Sequence, residues 1–422
     1  MSITFNKECL YDGIDFFSIV DKRFKTNLIS IWLIDKLSEE NAPCNALSMS
    51  FISKSNKKYP DMTLLNKKLS SLYGANLSGT TSKVGDNQFM MLGVSCIADK
   101  YALGSEKLTL ESADILMDCL LDPNVENGGF SEKLFTPIKQ ELLDDIDAII
   151  NDKRSYALMK TSKIAMKGEP SAIRSCGERE YAEKVDAVSA YEKYTELLKT
   201  SEMKIFFVGS ESPDEVKNKI KERLSVIERN FKGKTSSEFS PAKPEPVYET
   251  ELLDVMQSKM VMSFKCNDKN SHAVRLMTAI FGATPFSKLF VNVREKMSLC
   301  YYCAARYDEI KGILNVDSGV EKENIEKARN EILNQLESMK KGEFTDEEMN
   351  NSLLSLVNAA KSMNDSAASL ASWYLKQDVI GTNHSPEEEI EHLKAVTRED
   401  IIKAASSLTL DTVYVLTKKG DE

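Results

Sequence analysis

Two stretches decide the fold: Ala187–Gly209, AVSAYEKYTELLKTSEMKIFFVG, and Ala395–Thr417, AVTREDIIKAASSLTLDTVYVLT. They align without a gap. Each opens with a helical period, passes through a short polar turn and closes in an apolar run of β-branched and aromatic residues, the pattern of a terminal strand.

Upstream of each stretch lies the same order of elements. In the first half TNLISIWLID (Thr26–Asp35) reads as a strand. APCNALSMSFISKSNKKYPD (Ala42–Asp61) reads as a helix ending in a basic turn and a proline, and DMTLLNKKLSSLYG as a second helix. ANLSGTTSK and NQFMMLGVSC are strands around the turn VGD, with Met90, Leu92, Val94 and Cys96 alternating onto one face. A helix over about 105–121 sets Leu110, Ala113, Met117 and Leu120 on one stripe. In the second half KMVMSFKC alternates Met260, Met262, Phe264 and Cys266, and LCYYCAARYDEIKGILNVDSGV gives two strands around DEIKG. Ile325, Ala328, Ile332, Leu336 and Met339 then recur at helical steps until Gly342, placed as a C′ glycine. FTDEE opens the next helix, with Thr345 and Glu348 as a capping box, and echoes FSEKL at Phe130.

The stretch KGKTSSEFSPAKPEPVYE between the halves has linker composition. The chain is therefore expected to divide into an N-terminal half, 1–230, a linker, 231–248, and a C-terminal half, 249–422. The expected fold is α+β: an internal duplication of two homologous α/β sandwich halves, each a mostly antiparallel sheet with helices on one face.

A chain of 422 residues is too long for one ordinary core, and 42% apolar with 28% charged residues is ordinary for a soluble protein. The net charge of −10 and the lack of basic runs argue against nucleic acid or an anionic membrane as partner, and leave a basic peptide compatible. The first 20 residues lack the pattern of a signal peptide, and no apolar run reaches membrane-span length, so a cytoplasmic protein is expected. The eight cysteines are scattered, as free and mostly buried thiols would be. The close pair Cys300 and Cys303 lies in a strand-like run, where positions three apart face opposite ways. A structural role is expected for it.

FSKLFVNVREKMSLCYY (Phe286–Tyr302), SGV from Ser318 and KKGEFTDEEMNNS from Lys340 resemble the insulinase, pitrilysin and mitochondrial processing peptidase family, which reads there as S-x-LF-x-x-VREK-x-x-L-x-Y. RFKTNLISI, KKYP, LYGANLSG and DDIDAIINDKRSYA resemble a bacterial non-peptidase-like subgroup of it. The resemblance spans nearly the whole chain.

It implies a zinc site on the first helix, H-x-x-E-H, in which two histidines bind the metal and the glutamate takes a proton from its water, with a further glutamate ligand from a later helix. Aligned on KKYP, those positions hold Ala46, Met49 and Ser50, and the later one falls near Asp145. No histidine precedes His272. His272 reads as a helix start, His384 precedes the cap Ser385-Pro386-x-Glu388, and His392 lies within that helix, too far from His384 to be a one-turn ligand pair. No metal or other cofactor is expected on this chain, zinc being expected only on a partner.

The resemblance also implies roles for Arg294 and Tyr301, the arginine binding a substrate carbonyl or carboxylate and the tyrosine hydroxyl stabilising an oxyanion. Taken alone, the two residues read as a local salt bridge or cap and as a core aromatic; the surrounding motif favours the implied roles. ANLSG (Ala75–Gly79) is the implied edge strand for an added peptide strand, with Asn76 and Leu77 as contacts; a plain structural strand is the other reading. The function expected is that of a catalytically inactive zinc-peptidase homologue: the non-catalytic subunit of a heterodimer with a zinc-bearing related chain, binding a peptide substrate. The alternative is an inert peptide-binding or scaffold protein, including a homodimeric one, in peptide maturation or protein modification.

Overall fold

A computed structural model describes residues 3–419; residues 1–2 and 420–422 of the two expected halves lie outside it. The chain opens with a hairpin, β1 (Thr4–Tyr11) and β2 (Ile14–Val20). Gly13 turns it at φ +69°, and a Cβ there would meet the Phe231 ring at 2.5 Å, so dihedral and packing both require glycine. β3 (Thr26–Lys36), α1 (Asn41–Ile52), α2 (Met62–Ser71), β4 (Asn76–Val84), β5 (Asn87–Ile97) and α3 (Leu108–Leu121) follow. Next come a short ribbon, β6 (Val125–Glu126) and β7 (Gly129–Phe130), and then α4 (Glu132–Ala148), α5 (Lys153–Ala165), α6 (Arg179–Ala182), α7 (Ala187–Thr200), β8 (Glu202–Gly209) and α8 (Asp214–Leu224).

The second half runs β9 (Val247–Leu252), β10 (Ser258–Cys266), α9 (Ser271–Thr278), further helical turns at 279–283 and 289–296, β11 (Cys300–Asp308), β12 (Ile313–Val320), α10 (Ile325–Lys340), α11 (Asp346–Ser362), α12 (Ala367–Val379), α13 (Pro386–Lys394), α14 (Arg398–Ser406) and β13 (Leu408–Thr417). Gly342 ends α10 at φ +73°, and the Thr345–Glu348 box starts α11, as the sequence predicts.

The first sheet has the order β1-β2-β8-β3-β5-β4, antiparallel except for β2 beside β8. The second, read from its far edge, is β9-β13-β10-β12-β11, antiparallel except for β9 beside β13. Its five strands repeat β2-β8-β3-β5-β4 in order and direction, which is the duplication expressed as topology. The aligned stretches Ala187–Gly209 and Ala395–Thr417 are α7–β8 and α14–β13. Their helices begin at different points of the alignment because their caps differ, Asp186 for α7 and Thr397 for α14.

Each sheet has a main helical layer on one face. Ile29, Ile31 and Leu33 of β3 bury against α1, α3 and α7 in the first core, and Met260, Met262 and Phe264 of β10 occupy the same role in the second. The compact units, however, exchange segments relative to chain order. The first contains residues up to 147, 173–236 and 365–382; the second contains 148–172, 237–364 and 383 onward. Thus α12 packs on β8 and β3 of the first unit, and α5 packs on β13 and β10 of the second. The linker, too, is pinned at both ends: Phe231 seats on Gly13 in the first unit and Phe239 on Gly312 in the second.

Charge holds each exchanged helix. On α12, Asp378 pairs with Lys204, which is 2% exposed and also bonds Glu202 at 2.7 Å, and it takes Lys7 at 2.5 Å. Burial pushes the Asp378 carboxyl up, but the two lysines outweigh it and hold it below the ordinary 3.8. In the second unit, Lys265 is fully buried and donates to the carbonyl of Ala165, the last residue of α5, at 2.8 Å. Lys243 Nζ also donates to that carbonyl, at 3.3 Å, so two lysines satisfy an acceptor that the helix end leaves open. Burial brings the lysine down to about 8.

Replacing Asp378 by Asn should destabilise the protein by about 3 kcal/mol, since it strips the buried Lys204 of a counter-charge. The wild-type contribution is full at neutral pH and is lost as pH falls through the depressed Asp378 value, so the variant should also show a flatter acid limb. Urea unfolding across pH measures both. An unchanged midpoint would mean that apolar packing alone holds α12.

Candidate functional site

The positions that the zinc motif would occupy do converge. Ala46, Met49 and Ser50 on α1 and Asp145 on α4 line one cavity of about 260 Å³, together with Glu141, Cys176 and Gly79–Thr81 of β4. Their chemistry does not fit zinc. A zinc site takes imidazole, thiolate or carboxylate ligands, at least three from the protein. α1 offers a methyl, a thioether and a hydroxyl. Met49, at the place of the general base, is 1% exposed within the first core. Glu141 is engaged by Lys54 at 2.6 Å, and burial pushes the Cys176 thiol up, away from the thiolate.

The wall of this cavity is β4, the outermost strand of its sheet, with one side unpaired. It lies tight on α1: a Cβ at Gly79 would stand 2.6 Å from the Met49 carbonyl oxygen and 2.8 Å from Ser53 Cβ. Asn76 and Leu77 begin the strand and face opposite ways. Leu77 packs on the first core. Asn76 is exposed and lines, with Ser78, Trp32, Met91 and Ala371 of α12, a groove of about 530 Å³ on the other face.

Arg294 lies in the helical turns before β11, half-buried, with its guanidinium 4.3 Å from the centre of the Phe290 ring. Tyr301 is not a core aromatic. Pairing steps from Cys300–Val320 to Tyr302–Gly319, so Tyr301 is the extra residue of a bulge on the outermost strand, 64% exposed. Its hydroxyl donates to Glu321, and that hydrogen bond, with the carboxylate's charge, raises the phenol above its ordinary 10.

The same bulge corrects the expectation for Cys300 and Cys303. One extra residue reverses the alternation, so both side chains enter the second core and hydrogen-bond to each other. Both are free thiols, as are the other six.

The histidines are the feature that sequence spacing concealed. His272, His384 and His392 come together beside Glu389, although 120 residues separate the first from the last. Burial works to raise the Glu389 carboxyl, yet His272 and Arg275 bring it down to about 2.

A duplicated α/β sandwich whose first helix has lost its metal ligands defines a homologue of the M16 peptidases. The family described as peptidase M16 inactive domain matches residues 184–356. Over 416 residues, 98% of this chain and 97% of the other, the chain is 26% identical to the probable inactive metalloprotease YmfF of Bacillus subtilis (strain 168). Among solved structures, a conserved protein from Enterococcus faecalis V583 is similar at a TM-score of 0.92 and 25% identity, with 99% of each chain covered. A peptidase M16 inactive domain from Pseudomonas fluorescens gives 0.81 at 13% identity with all of both chains covered, and a protease from Helicobacter pylori gives 0.79 at 13%, covering 98% of this chain and 99% of that one. The likenesses in sequence and fold support an inactive M16 peptidase homologue, similar to the insulinase, pitrilysin and processing-peptidase proteins that its motifs resemble. Among the described residues no helix is long and apolar enough to cross a membrane.

Gly79→Ala should cost about 1–3 kcal/mol by forcing β4 away from α1, read as a lower urea midpoint. Wild-type stability in this variant would show that the strand yields freely and that the cavity is not rigidly walled.

Proposed function

We propose that this chain is the non-catalytic subunit of a heterodimeric M16-type peptidase, binding an extended peptide along β4 and lending Arg294 and Tyr301 to a site completed by a zinc-bearing related chain. One observation carries the reading. The zinc positions converge on a cavity beside a free strand edge but offer only the carboxylate of Asp145 and no ligand on α1, while Tyr301 is set out in solvent by a bulge.

The residues suit that work. The unpaired N–H and C=O groups of β4 can take a peptide main chain as a further strand. Arg294 presents a planar fork to a substrate carbonyl or carboxylate. Tyr301, its pKa raised, stays protonated at neutral pH and can donate to an oxyanion. Zinc on the partner would supply the activated water. The net charge of −10 favours basic peptides, and eight unpaired thiols suit the cytoplasm. The groove lined by Asn76, Trp32 and Met91 supports a second reading, a peptide-binding scaffold that works alone or as a homodimer.

The experiment is Tyr301→Phe in the protein reconstituted with its H-x-x-E-H-bearing partner. Peptide cleavage should fall roughly a hundredfold while gel filtration shows the complex intact. Unchanged turnover would overturn the role of Tyr301 and favour the scaffold.

A further inference from the structure

We infer that the second unit holds a binding site for a divalent transition-metal ion, formed by His272, His384, His392 and Glu389. The inference is independent of the proposed subunit role and uses none of the residues at the zinc positions on α1 and α4.

The sequence has three histidines, and all three meet here. The ring centres of His384 and His392 are 4.3 Å apart, those of His272 and His392 5.0 Å, and those of His272 and His384 6.5 Å. One nitrogen from each ring and one oxygen of Glu389 lie within 4.8 Å of one another. Bonds of about 2.0–2.1 Å in a tetrahedral site set neighbouring donors roughly 3.3 Å apart. His272 Nε2 and Glu389 Oε2 already stand at 3.1 Å, and the remaining gaps close by rotation of side chains at the rim.

The backbone prepares the arrangement. Glu389 and His392 are three apart on α13 and so share one helix face, the Glu-x-x-His spacing that helical metal sites use. His384 immediately precedes the α13 cap, where Ser385 and Glu388 form a capping box and Pro386 fixes the first turn. His272 enters from the first turn of α9, capped by Asn270. The other oxygen of Glu389 is held by Arg275, which orients the carboxylate as outer partners of metal ligands do. Glu389 is buried and His392 exposed, so the site has a fixed floor and an open side.

Three imidazoles and a carboxylate select zinc and its first-row neighbours over magnesium or calcium. A bound ion would clamp α9 to α13, and because it binds only the folded form it would raise stability.

The test uses the full-length protein stripped with EDTA and titrated with ZnCl₂ by calorimetry, with cobalt as a spectroscopic probe. Wild type should take up one zinc per chain and gain in Tm, and bound cobalt should give nitrogen–oxygen ligand bands without thiolate charge transfer. In the His384→Ala/His392→Ala double variant, zinc affinity should fall by roughly a hundredfold or more and the Tm gain should vanish. His272→Gln, on the other helix, should weaken binding independently, with circular dichroism reporting the fold of each variant. No zinc uptake by wild type, equal uptake by the variants, or a thiolate spectrum would each overturn the site.

Discussion

Each sheet has one dedicated helical layer, so its second face has to be closed by something else. What closes it is a single helix from the other half of the sequence, held by buried charge. Lys204 has no access to water, and an unpaired ammonium there would cost several kcal/mol. Glu202 on the same strand meets part of that cost, and Asp378 supplies the second counter-charge only if α12 lies across β8 and β3. In the second unit Arg154 of α5 reaches Asp317 at 2.5 Å, and Glu251 gathers Tyr156, Lys160 and Tyr414 within 2.9 Å. Neither α5 nor α12 can slide along its sheet without stranding a charge.

β4 is an outer strand of the first sheet, opposite β1, and β11 an outer strand of the second, opposite β9. These strands are equivalents in the duplication. Asn76 and Leu77 open one, and Tyr301 sits at the start of the other. The residues with the best claim to touch a peptide therefore occupy corresponding ends of corresponding strands, although the halves have diverged in chemistry. At the zinc positions on α1 the first half offers no metal ligand, with Met49 absorbed into the core. In the second half, Arg294 lies half-buried beside Phe290 and Tyr301 stands outside the core.

Much of this was legible in the sequence because it is local. Alternation in β5 and β10, the helical stripe of α10, the glycine stop at Gly342 and the capping boxes at Thr345 and Ser385 all depend on neighbours within a few residues, and each was read correctly. The motif register was also readable, since Ala46, Met49, Ser50 and Asp145 do share a cavity. What escaped depends on distance along the chain or on one irregular residue. Nothing near Asp378 announces Lys204, 174 residues away. Nothing near His272 announces His392. The bulge at Tyr301 exposes one side chain and turns Cys300 to the face of Cys303, and a strict period of two cannot foresee it.

The most direct measurement is affinity purification of the tagged protein from its native cells, with co-purifying chains identified and quantified by mass spectrometry. The expected result is a stoichiometric partner of similar length that carries H-x-x-E-H on its first helix. Recovery of the protein alone, or only with chains unrelated to this fold, would contradict a shared peptidase site.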